Sequence, residues 1–169
     1  MTARSFERFL NLSVDLTAFR ETELLGTGLA HHYLAKVRAA CGDEIFADLL
    51  AAHRLARSDA SRDAGDRDPV LLDRALRHRI FSDDTLGPVA RNVIKLWYAG
   101  MWYGLPPEWT DRYGARAAAA TSTVTAASYQ EGLLWPAIGA HPPGAKAPGY
   151  GSWAQPPRIE DRYLKRAAK

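Results

Sequence analysis

The sequence predicts a mainly α fold: a compact helical domain of about five helices, followed by a long irregular C-terminal arm rich in proline, glycine and aromatic residues. Three observations predict it. Up to Leu105 the apolar residues recur at helical spacing. Start and stop signals, such as Asp68-Pro69 and Gly42, separate the periodic runs. From Pro106 onward the periodicity fades while prolines and large aromatic residues persist. One domain over 1–169 is therefore expected, with a helical core at 5–105, an extended partner-wrapping arm at 106–157 and a charged tail at 158–169.

In the first helix Ser5 is the expected cap, and Phe6, Phe9, Leu10, Leu12 and Leu16 form the apolar side. A second helix is expected from about Thr22 to Cys41, with Leu25, Leu29, Leu34 and Val37 inward and Gly42 as its stop. Asp43 opens a third, carrying Ile45, Phe46, Leu49 and Leu50. Residues 58–68 hold no large apolar side chain and read as a solvated loop. Asp68 followed by Pro69 is a cap followed by a first-turn proline, opening a helix with Leu71, Leu72, Ala75 and Leu76 that ends before Ser82.

The fifth helix is expected to follow Pro88 and run through Gly104. Ala90, Ile94, Trp97, Tyr98, Met101, Trp102 and Leu105 line one side of it. Val89, Val93, Leu96, Gly100 and Tyr103 make the opposite side apolar too, so the helix needs cover all round. Its first half reads as a central core helix. From Leu96 to Pro107 the aromatics are dense enough that a partner is expected to share in covering them. In the arm, residues 132–157 carry one charge, Lys146, and six prolines. Leu133, Leu134, Trp135, Ile138, Tyr150 and Trp153 argue against a solvated linker and for spaced anchors laid on the protein's own helices or on a neighbour. The expected partner interface is Trp97, Tyr98, Met101, Trp102, Tyr103, Trp135, Tyr150 and Trp153, with Trp97 the first to be expected in the core instead.

The chain's 169 residues, 47% hydrophobic and 24% charged with a net charge of +3, fit a globular domain. Arginines and aspartates are interleaved from Arg54 to Arg79, so no single-sign stripe points to nucleic acid. No apolar run reaches the ~20 residues of a membrane span, so no direct membrane insertion is expected. Met1 to Leu12 shows neither a hydrophobic signal core nor a twin-arginine pair, which reads as cytoplasmic; export on a partner's signal to the periplasm is the alternative.

Catalytic motifs are missing. Gly26-Thr27-Gly28 puts His31 where a dinucleotide turn has its third glycine, and no strand precedes it, so these glycines read as close-packing positions. His31 and His32 are adjacent and point about 100° apart on a helix, so they do not share one metal ion. His53, His78 and His141 are separated in sequence and carry no ligand spacing. Cys41 is alone, at a helix C-terminus that disfavours a thiolate, and reads as a small buried hydrophobe. No residue of this chain is predicted to catalyse or to hold a cofactor or metal.

Three stretches carry a family resemblance. The first is Phe9-x-x-Leu12-Ser13-x-x-Leu16-Thr17 with Tyr33-Leu34. The second is Val93-Ile94-x-x-Trp97-Tyr98-x-Gly100. The third is Tyr129-x-x-Gly132-Leu133-x-Trp135, continuing through His141-Pro142-x-Gly144 to Pro148-Gly149-x-Gly151-x-Trp153-x-x-Pro156. As an ordered set they resemble the small (gamma) subunit of membrane-bound, FAD-dependent sugar and polyol dehydrogenases, of the sorbitol dehydrogenase small-subunit type. The resemblance implies a helical escort with no catalytic residue of its own. Its partner is a large glucose-methanol-choline-type subunit that holds FAD, and often an iron–sulfur cluster, and oxidises a hydroxyl of a sugar or polyol. In such complexes a cytochrome c subunit carries electrons onward, and the small subunit serves folding, stability or export of the large one. Many relatives carry a twin-arginine signal on the small subunit, and this sequence departs from them there. Two other readings stand beside this one: a helical interaction or regulatory protein unrelated to flavoenzymes, and a stand-alone enzyme using His31, His32 or His141.

Overall fold

The computed structural model describes residues 3–61, 68–114 and 116–142. It is mainly helical, as the periodicity predicts. Five longer helices form the body: α1 (Ala3–Thr17), α3 (Ala30–Cys41), α4 (Asp43–Asp59), α5 (Pro69–Leu76) and α6 (Leu86–Ala99). Three short ones accompany them: α2 (Glu21–Gly26), α7 (Pro107–Tyr113) and α8 (Leu134–Ala137). A π turn over Arg77–Phe81 extends α5.

The start of α1 lies ahead of Ser5, which is therefore a helical residue and not the cap. Phe9, Leu10 and Leu12 are buried as their spacing requires. The expected helix from Thr22 to Cys41 is broken into α2 and α3 at Thr27-Gly28-Leu29. Gly28 takes a φ of +70° there, a left-handed conformation that interrupts the helix. Gly26 and Gly28 have no neighbour close enough for a packing role, so that expectation is corrected. The break also rotates α2: Leu24 is fully buried while Leu25, expected inward, is exposed.

Gly42 ends α3 with a φ of +86°, and α4 begins at once, with Phe46, Leu49 and Leu50 in the core. Ser58 and Asp59, assigned to the loop by composition, belong to the last turn of α4. The two ends of that loop are tied, since the Asp68 N–H donates to the Ala60 carbonyl at 3.1 Å. Asp68 caps α5 by accepting from the Val70 and Leu71 N–H groups, as the Asp-Pro pair predicts, a contact typically worth ~1 kcal/mol.

The largest correction concerns α6. It stops at Ala99, with Gly100 as a left-handed cap, and does not run on to Gly104. Met101–Trp102 (β1) instead pair antiparallel with Ser122–Thr123 (β2). The helix shows amphipathic sides only until the cap; beyond it the chain doubles back along the body. Residues 106–142, the described part of the expected arm, lie on the protein's own helices. Trp109, Ala119 and Leu133 are buried in the same hydrophobic cluster as Phe9 and Tyr33. Residues 143–157, which complete the expected arm and carry Tyr150 and Trp153, lie outside the described residues, as does the tail at 158–169.

Candidate functional site

The first two stretches and the start of the third (129–135), far apart in sequence, meet in one packed node between the end of α1, α3, the end of α6 and residues 128–135. Tyr98 donates its hydroxyl to the Thr17 carbonyl at 3.0 Å and sets its ring edge-on to Phe19 at 5.5 Å. Trp97 lies edge-on to Tyr33, with ring centroids 4.8 Å apart. The Trp97 carbonyl accepts the Leu133 N–H at 2.9 Å, which straps the third stretch to the second.

Two glycines make that strap possible. A Cβ on Gly100 would lie 2.3 Å from the Ser128 carbonyl oxygen, and its φ of +71° already disfavours a side chain. A Cβ on Gly132 would lie 2.7 Å from the Tyr98 carbonyl oxygen. Backbone thus presses on backbone at both points. Ser128, fully buried, closes the turn before it by accepting the Thr125 N–H at 2.9 Å.

The Tyr33 and Trp97 rings at the centre of the node are fully buried, and the Glu131 carboxylate acts on Tyr33 from beside it. Burial pushes the Tyr33 hydroxyl up to about 12, against a smaller opposing pull from the Ser128 side chain, and it also raises Tyr98. Neither the Tyr33 hydroxyl nor the Trp97 indole N–H makes a hydrogen bond of good geometry. Asn92, buried on α6, reaches out of the helix to accept the Tyr103 N–H at 2.9 Å, which fixes the chain just after the reversal.

Of the eight residues expected at a partner interface, Trp97 and Trp102 are fully buried by this chain itself. The Trp102 indole donates to the Ala119 carbonyl at 3.2 Å, so neither its ring nor its polar edge is left for a partner. This corrects the expectation for both. Tyr98 and Met101 are half-buried, and Tyr103 is exposed with Lys95 over its ring at 4.8 Å. Trp135 is half-buried, with its indole held by the Tyr129 carbonyl at 2.8 Å. Tyr150 and Trp153 lie outside the described residues.

Sequence reasoning named Leu134 and Ile138 as spaced anchors but left them, and Tyr129, out of the expected partner interface. Tyr129, Leu134 and Ile138 are 41%, 37% and 41% exposed, and Leu134 and Ile138 stand one turn apart. Beside them a cleft of about 420 Å³ is lined by Phe19, Leu133, Trp135 and Pro136 together with Glu23 and Glu131, and reaches Pro142, where the described chain ends. Large apolar residues in a proline-punctuated segment were the available signal, but only the fold separates Leu133, buried, from Leu134, exposed.

No family model, curated protein or solved structure matches the chain.

Away from the node, the side chains with chemical potential are tied up structurally. His53, 4% exposed on α4, meets Asp15 of α1 at 2.7 Å. Arg57 Nε approaches the same carboxylate to 3.2 Å without hydrogen-bond alignment, while its Nη1 donates to Asn11 Oδ1 at 3.0 Å. This is a clasp between α1 and α4, closed to a reactant. Asp15→Ala would leave Arg57 and His53 without their shared anion and is expected to cost about 3 kcal/mol, read from the urea midpoint. His31 and His32 are both exposed, and His31 stacks on Phe6 at 4.1 Å. Cys41 is buried, and burial pushes its thiol up to about 12, the wrong direction for a nucleophile. Among the described residues no three His, Cys, Asp or Glu side chains are grouped to hold a metal, and no helix is long and apolar enough to cross a membrane.

Proposed function

We propose that the chain is a non-catalytic small subunit that stabilises a glucose-methanol-choline-type catalytic subunit. That large subunit holds FAD, in some complexes with an iron–sulfur cluster, and oxidises a hydroxyl of a sugar or polyol. One observation carries the reading. The residues that resemble the small-subunit family, scattered from Phe9 to Trp135, fold into a single continuous node whose rim is apolar and open. Tyr129, Leu134 and Ile138, with the cleft beside them, are where the large subunit is seated, and Trp97 holds that surface through its carbonyl's bond to the Leu133 N–H.

In this reading the flavin chemistry belongs wholly to the partner, and the small subunit contributes folding, stability or export. The compartment of the pair follows whichever of its chains carries an export signal, and a cytochrome c subunit joins in the exported case. The test is co-purification. A tagged copy isolated from the cells that make it is expected to bring down a flavin-containing chain and polyol or sugar dehydrogenase activity. Recovery of a stable partner without flavin would overturn the reading in favour of a general interaction protein, and turnover by the isolated chain, abolished at His31, His32 or His141, would overturn it in favour of an enzyme.

A further inference from the structure

The cleft beside α8 is where the described chain ends. It opens between α2 on one side and residues 130–142 on the other, with Phe19 and Leu133 buried at its base. Its walls, unlike its base, are open: Gly26, Pro136 and Ala140 are exposed, and Trp135 is half-buried. Pro142, the last described residue, is itself buried and lines the cleft, so the chain passes on to residue 143 from within it. Two carboxylates, Glu23 and Glu131, line the same cleft, and among the described residues no lysine or arginine does. Arg20 meets Glu23 from outside, at 3.2 Å.

The sequence that follows is complementary to these surroundings. Residues 143–157 carry a single charge, the positive Lys146, four residues past Pro142. At no more than ~3.6 Å per residue, that spacing keeps Lys146 within about 14 Å of Pro142, and so beside a cleft that carries both carboxylates. Tyr150 and Trp153 come next, two rings suited to an apolar wall. A segment tethered this closely has an effective concentration on the order of millimolar at any site it can reach, which a free chain of like affinity does not match. Its prolines also lower the entropy lost on docking. We infer that residues 143–157 of this chain lie across the cleft beside α8, with Lys146 facing Glu23 and Glu131 and the Tyr150 and Trp153 rings on the wall of Trp135, Pro136 and Ala140. Leu134 and Ile138 do not line the cleft, so the rim stays open to a partner, which meets it beside a cleft already filled by this chain. The inference holds whether or not that partner is a flavoprotein.

The experiment is thiol labelling of the full chain with a maleimide. Cys41 is buried, so a thiol placed in the cleft is the one that reacts quickly if nothing covers it. A Cβ at Gly26 meets nothing within 4 Å, so Gly26→Cys puts that thiol on the open wall without a clash. Ala140→Cys, on the opposite wall, repeats the measurement if the first variant is misfolded by circular dichroism. In the otherwise wild-type chain labelling is expected to be slow. Adding Lys146→Glu/Tyr150→Ala/Trp153→Ala should speed it by about tenfold or more, as expected for loss of an exposed ion pair and two ring contacts, whereas adding Lys146→Arg should leave it slow. Equal rates with and without the triple substitution would overturn the inference. Protection that fades on dilution would overturn it in favour of a segment from a second copy. Protection found only after co-purification with a partner would overturn it in favour of a segment of that partner.

Discussion

Two aromatic-rich stretches, 96–109 and 129–138, look alike in the sequence and end up in opposite situations. In the first, Leu96, Trp97, Trp102, Leu105 and Trp109 are buried within the chain. In the second, Leu133 is buried, but Tyr129, Leu134 and Ile138 remain open. The difference lies in the path of the chain beyond each stretch. Gly100 ends α6 and turns the chain back over its own helix, so residues 101–124 supply the cover that a continuing helix would have lacked. Nothing among the described residues does the same for 134–138. Aromatic density therefore measures how much cover is needed, and only the course of the backbone says who provides it.

The strongest way to break this contrast is to truncate a ring in each stretch. Trp102→Ala is expected to cost about 3–5 kcal/mol, as for other fully buried rings, read from urea denaturation. A cost under about 1 kcal/mol would mean that the ring is not core. The reversal itself comes next. Gly100→Ala adds a Cβ against the Ser128 carbonyl and forces a left-handed alanine, for an expected loss of about 1–3 kcal/mol; a neutral result would place the third stretch elsewhere.

Alkaline titration tests the burial of Tyr33 in the node and of Cys41 at the end of α3. The folded-state pKa values of Tyr33 and Cys41 are raised to about 12 from their ordinary 10.0 and 9.0. The unfolded chain thus releases these protons first, and stability is fully present below about pH 9 and falls as pH rises toward 12. Tyr33→Phe should flatten that decline in midpoint-against-pH data and, because the hydroxyl lacks a well-formed hydrogen bond, cost little at neutral pH. An unchanged slope would mean that the hydroxyl reaches water. The smallest effect belongs to the open stretch: Leu134→Ser/Ile138→Ser should shift the stability of the isolated chain by no more than about 0.5 kcal/mol. A loss of core size would make these residues part of the body and remove the contrast.

The helical class was legible because caps and periodicity are local properties. Asp68-Pro69 and Gly42 each act where their chemistry predicts. The breaks were less legible. Gly28 and Gly100 sit inside runs whose apolar spacing continues through them, and a left-handed glycine is silent in the hydrophobic pattern. The division of Leu24 from Leu25, and of Leu133 from Leu134, depends on rotations set by those breaks. The Asp15–His53 clasp joins residues 38 positions apart, a pairing no local pattern encodes. The node was legible only as an ordered set of scattered residues, because its glue is mostly backbone: the Trp97 carbonyl, the Tyr129 carbonyl and the close approaches at Gly100 and Gly132.

The most direct measurement is the yield of soluble, flavin-loaded catalytic subunit co-expressed with this chain or with its Leu134→Asp/Ile138→Asp variant. The wild-type chain should raise that yield several-fold, and the variant, still folded by circular dichroism, should lose the gain. Equal yields with the wild-type chain, the variant and no small chain at all would contradict an escort role, and full rescue by the folded variant would contradict the seat assigned to it.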